Sequence, residues 1–146
     1  MTVSTLTVSG LKQLPDKDGN IKLKAIVRFT NYGKGPAILK SYAVIGNSGK
    51  ELPAEPTYGA PIGVRYIIAP NHWFGSVDPD EIIATKDIIP PIIDGTTHLW
   101  VVVRLDYADA FRRPHVTSGA YRIIFGEAGN SVRFLPDGPD SYWEYT

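Results

Sequence analysis

The stretch Asp106-Tyr107-Ala108-Asp109-Ala110-Phe111-Arg112-Arg113-Pro114-His115 holds the residue types best suited to chemistry. Two carboxylates, two arginines and a histidine fall within one strand-to-strand connection. Asp106 or Asp109 with His115 could form a general acid/base pair, the core of a hydrolase. A structural assignment competes with this and is the stronger reading. Asp109 can accept backbone N–H bonds and cap the turn, as aspartate commonly does. Tyr107 can bury its ring and bond a nearby backbone group, as in a tyrosine corner. Phe111 can plug the end of the fold.

The other candidates are weaker. His72, His98 and His115 are scattered, with no i,i+2 or i,i+4 partner histidine, so no metal site is expected. No Gly-x-Ser-x-Gly elbow marks an activated serine. Gly33-Lys34-Gly35 is too short for a phosphate loop and precedes a strand, so its glycines serve a turn. No cofactor motif is found. The chain has three tryptophans and eight tyrosines. Trp73-Phe74 and Tyr142-Trp143-Glu144-Tyr145 are expected in loop or terminal segments. If exposed, Trp73, Phe74, Tyr142, Trp143 and Tyr145 would offer a platform to a sugar or a protein. The favoured alternative is that these rings cover the open ends of the fold.

The elements that must position these residues are strands. Ile21, Leu23, Ala25, Val27 and Phe29 alternate with a mostly polar set, the period of a strand with one buried face. Leu99, Val101, Val103 and Leu105 alternate with Trp100, Val102, Arg104 and Asp106. There the second face is partly apolar, so that strand is read as central or covered. Further strands are expected around Leu6 and Val8, over 38–45 and 64–69, at Tyr121, Ile123 and Phe125, and over 132–135. Asp16-Lys17-Asp18-Gly19-Asn20, Gly46-Asn47-Ser48-Gly49 and Glu127-Ala128-Gly129-Asn130 read as hairpin turns. The segment Asn31-Tyr32-Gly33-Lys34-Gly35-Pro36 reads as a structural turn, with Asn31 and its glycines suited to positive φ. Residues 52–63 carry three prolines and two glycines and read as a long surface loop. Asp78-Pro79-Asp80-Glu81 is the expected start of one short helix, which Pro90-Pro91 would stop.

At 146 residues the chain is read as one domain, 1–146. Such a length buries enough surface to fold without disulfides or metals. Lys plus Arg and Asp plus Glu balance at 15 each, so no global field favours nucleic acid or an anionic membrane; Arg112-Arg113, the only adjacent arginine pair, reads as a solvated loop. Cysteine is absent, which excludes disulfides, thiolate zinc sites and cysteine nucleophiles. No apolar run spans a bilayer, and no direct membrane insertion by the chain is expected. The single methionine, Met1, is compatible with a domain cut from a longer protein.

Three segments together resemble a known family. Asn31-Tyr32-Gly33-Lys34-Gly35-Pro36-Ala37 is similar to the N-x-G-x-x-P-A turn of immunoglobulin-like sandwich domains. Ile68-Ala69-Pro70-Asn71, the acidic Asp78-Pro79-Asp80-Glu81 and Asp94-Gly95 fall in the matching order. Tyr107 to Thr117 looks like a Y-x-D-x-F-G-x-x-H-x-T hairpin, with Arg112 where the pattern has glycine. This order resembles the β-sandwich domain of uncharacterised bacterial and phage proteins, over about residues 25–125. Many of these carry the domain after N-terminal transmembrane helices, which this chain lacks, so its compartment stays open. The resemblance implies no catalytic residues.

The resulting expectation is an all-β, antiparallel immunoglobulin-like two-sheet sandwich with one short helix. Its expected role is a non-enzymatic binding or accessory domain, part of a larger or membrane-associated protein. A carbohydrate-binding or adhesion module is the first alternative, and the Asp106/Asp109/His115 hydrolase the second. A protein or carbohydrate partner would be met by loops at a sandwich end or by an edge strand.

Overall fold

A computed structural model describes residues 2–9, 17–75, 80–84, 87, 89–125 and 132–146. The first sheet is built on β2 (Ile21–Thr30). On one side β2 pairs with β1 (Thr2–Ser9). On the other it pairs with β5 (Trp73–Gly75) and, further along, β6 (Asp80–Ala84). The second sheet runs β10 (Glu144–Tyr145), β8 (Pro114–Phe125), β7 (His98–Ala108), β3 (Ala37–Gly49), β4 (Ile62–Ile68). β9 (Val132–Pro136) shares the β8 edge with β10. All these pairings are antiparallel.

The two sheets meet through one apolar layer. Val27 and Phe29 of β2 and Phe74 of β5 pack on Leu39, Tyr42 and Val44 of β3 and Leu99, Val101, Val103 and Leu105 of β7. Phe74 meets Tyr42 edge-on, with centroids 5.6 Å apart. The register of β3 shifts between Leu39 and Ser41 against both neighbours. That bulge moves the inward positions from odd to even numbers, so Tyr42 and Val44 face the core. The outer face of β7 is covered too: Trp100 and Val102 join Leu52, Ala120 and Tyr142 in a second cluster. This matches the two-sided apolar pattern of that strand.

Local expectations fail over the expected helix and at one expected turn. Asp80–Ala84 is a strand on β2, not a helix; Ile82 and Ile83 are β-branched, and β2 offers them a ladder. Asp78 and Pro79 lie outside the described residues. The short helix is α1 (Ile89–Asp94), which contains Pro90 and Pro91 in its first turn. Proline is tolerated there because the first helical N–H groups have no intrahelical acceptor. Gly46-Asn47-Ser48-Gly49 is not a turn; it continues β3 opposite Trp100 and His98. The ladder with β7 overrides the local turn preference. Gly19 takes a φ of 81° in its expected turn, while 127–130 lies outside the described residues.

Candidate functional site

Three connections gather at one end of the sandwich: 31–36 between β2 and β3, 69–72 between β4 and β5, and 109–113 between β7 and β8. Asn31 ties the first two together. Its side chain is buried, with Nδ2 donating to Gly35 O and Ile68 O, both at 2.9 Å. Oδ1 accepts from Gly33 N at 2.9 Å. Its backbone N donates to His72 O, and its carbonyl accepts from Asn71 N. Asn31, Gly33 and Gly35 do not use positive φ, contrary to the expectation. Gly33 is small for a different reason: a Cβ there would lie 3.0 Å from Asn31 Oδ1. Gly35 in turn faces Ala110, 3.7 Å from where its Cβ would be, which brings the third connection alongside.

Asp109 organises that third connection. Oδ1 accepts from Phe111 N at 2.9 Å and Arg113 N at 3.0 Å. Oδ2 accepts from Arg113 Nε at 2.7 Å and lies 3.3 Å from His115 Nε2. Partial burial pushes the carboxyl upward, but bonds from Arg113, His115 and the Phe111 backbone outweigh it, leaving it near 2. Such a carboxylate is a poor proton acceptor at neutral pH. Asp106 does not join it. It faces the other side of the sheet, held by Arg104 at 3.2 Å and Ser41 at 3.3 Å. His115 also stacks on Tyr107, centroids 5.3 Å apart, on the core side. Asp109 and His115 of the hydrolase reading therefore meet, while Asp106, its second carboxylate, is held away from them by Arg104 and Ser41.

The Asp109 cap has a pH signature. Its folded value is depressed below the ordinary 3.8, so its stabilisation is present above 3.8 and is lost as pH falls towards about 2. Asp109→Ala is expected to be less stable than the wild type at neutral pH. The gap should close across that acidic window, as followed by thermal melts over a pH series. A gap constant with pH would contradict the cap.

Two rings are exposed on the surface of this loop end. Phe111 is 79% exposed and Tyr32 66%. Phe111 thus does not plug the sandwich; the Asp109 cap turns the hairpin tip outward, and Arg113 stacks on the ring at 5.4 Å. Lys34, Arg112 and Arg113 are also exposed, and Asp109 is the one carboxylate in the three connections. Among the described residues, the two non-glycine positions with positive φ are Asn71 (62°) and Arg112 (63°), both at this end. Asparagine tolerates that conformation; arginine is strained by it. Arg112→Gly is expected to raise stability by about 0.5 kcal/mol, the relief of strain exceeding the entropy glycine adds to the unfolded chain. Chemical denaturation reads this; an earlier unfolding midpoint would contradict it.

No family model matches the chain, and no curated protein matches it. Among solved structures, a protein from Archaeoglobus fulgidus is similar at a TM-score of 0.41 and 7% identity. The alignment covers 86% of this chain and 100% of that one. A likeness this distant carries no functional information.

The five aromatic residues expected as a contact platform do not form one. Phe74 is 8% exposed and Tyr142 1%, both packed in the two clusters. Trp143 is half-buried over Gly119 and edge-on to Tyr121. Trp73 and Tyr145 are exposed, but Arg28 lies 3.9 Å over the Trp73 ring, covering one face. Residues 73–75 form a strand rather than a loop, which turns alternate rings inward. The 52–61 loop borders a cavity of about 280 Å³, lined by Tyr42, Val44, Ile45, Tyr58 and Ile62 among others. Tyr32 and Lys34 were legible only as turn residues, because sequence carries no signal for which loops share an end.

Proposed function

We propose that this chain is a non-enzymatic binding domain, an immunoglobulin-like sandwich whose contact surface is the 31–36, 69–72 and 109–113 loop end. The observation that carries the reading is the joint exposure of Tyr32 and Phe111 on loops whose backbones are pinned by Asn31 and Asp109. Rings held in water on a rigid frame favour association, since binding removes apolar area without first ordering the loop. Strain at Arg112 supports the same reading, because uncommon backbone conformations gather at functional loops. It also supports the resemblance, whose pattern has glycine at that position. The β4 edge is a weaker candidate: exposed Arg65 at its centre discourages strand addition.

Screening the wild type against glycan, peptide and lipid arrays, then repeating hits with Tyr32→Ser/Phe111→Ser, tests the reading. The double variant should keep its melting temperature within a few degrees, as exposed positions usually do, and lose the hit. A hit unaffected by the double variant would reject the loop end. A hydrolytic activity abolished by Asp109→Ala would reject the non-enzymatic reading.

A further inference from the structure

Resting on that reading, we infer that the loop end docks on an anionic lipid surface, its two rings entering the headgroup layer and its cations facing lipid phosphates. The charge is matched to that partner. Lys34, Arg112 and Arg113 stand against Asp109 alone, in a chain of zero net charge. Asp109 is paired with Arg113, so those two charges offset each other, and Lys34 and Arg112 carry the positive balance of the three connections. Asp106 of β7 and Glu144 of β10 are held by Arg104.

The shape points the same way. A small molecule or a folded peptide motif needs a concavity that buries most of its surface. The cavity beside the 52–61 loop is lined by none of the loop-end residues. What the end presents is two protruding rings, Phe111 without any polar atom and Tyr32 with one, flanked by cations. That combination suits a planar interface, where an aromatic body leaves water and its neighbours stay hydrated among headgroups. A fluid surface requires no shape complementarity, whereas an acidic peptide would need a groove or a free strand edge. Attraction from a few cations and two rings is weak and salt-sensitive, so attachment is reversible.

The test is co-sedimentation with vesicles of phosphatidylcholine alone or of an equimolar phosphatidylcholine–phosphatidylglycerol mixture. The wild type should partition onto the anionic vesicles and stay in solution with the neutral ones. Tyr32→Ser/Phe111→Ser and Lys34→Glu/Arg112→Glu should each lower the partition coefficient roughly tenfold, with melting temperatures confirming that both fold. Since the chain has no cysteine, Ala110→Cys carries a single polarity-sensitive dye, which should shift to the blue on anionic vesicles only. No partition, or equal partition onto both vesicles, overturns the lipid inference. Partition untouched by either variant overturns the lipid inference and the loop-end reading together. If vesicles fail, an acidic-peptide array separates the two. Binding lost in the loop variants leaves the loop end standing with a different partner, while binding they do not affect removes it as well.

Discussion

Asn31→Ala is expected to destabilise the protein by about 2–4 kcal/mol, since each buried polar group stripped of its partner costs about 1–3 kcal/mol. The side chain makes three hydrogen bonds at 2.9 Å, and Asn31 is only 3% exposed. Removing it leaves the Ile68 carbonyl and the Gly33 N–H without their side-chain partner. Asn31→Asp should be no rescue. It keeps the acceptor for Gly33 N but aims a carboxylate at two carbonyls, those of Gly35 and Ile68. The measurement is urea denaturation of both variants; a midpoint within experimental error of the wild type would remove Asn31 as the fastener of the two loops. Because the 31–36 turn carries Tyr32 and Lys34, a surviving Asn31 variant should also bind its partner more weakly, its contact loop no longer held in place.

The second large effect is expected at Gly119, which faces Trp143 across the β8 edge. A Cβ there would stand 2.8 Å from Trp143 Cζ3 and 3.2 Å from two further ring atoms. The backbone at Gly119 does not take positive φ, so the requirement is space and not conformation. Trp143 has little freedom to retreat. Tyr142 on one side is buried with its carbonyl accepting from Ser118 Oγ at 2.8 Å, and Glu144 on the other pairs with Ser118. Gly119→Val should therefore cost about 1–3 kcal/mol, the usual range for overpacking, either through strain or by expelling the ring from Tyr121. The same substitution in a Trp143→Ala background should cost clearly less, because the two residues share one contact. Equal costs in both backgrounds would show that Trp143 is not what Gly119 accommodates.

Strand identity was legible wherever a single face repeats with period two. Val27 and Phe29 face the core and Ile26 and Arg28 do not, as alternation requires. The Asp109 cap was legible as well, because an aspartate ahead of a short connection has its own N–H groups within reach. Both are local facts, set by the geometry of a few neighbouring residues. Tertiary structure decided the rest. The bulge between Leu39 and Ser41 determines that Tyr42 rather than Ala43 points into the sandwich, and it arises from registering β3 against two neighbours at once. The Gly46–Gly49 segment has turn-forming residues yet extends, since β7 supplies a ladder that no local propensity can offset. Phe74 and Phe111 are the clearest contrast. Both are phenylalanines expected in loops, yet one is 8% exposed and the other 79%. Hydrophobicity says only that each ring would leave water if it could. Whether it does depends on which surface stands opposite: Phe74 meets Tyr42 and Tyr66 across the sandwich, while Phe111 is carried outward on a capped turn with Arg113 over its ring.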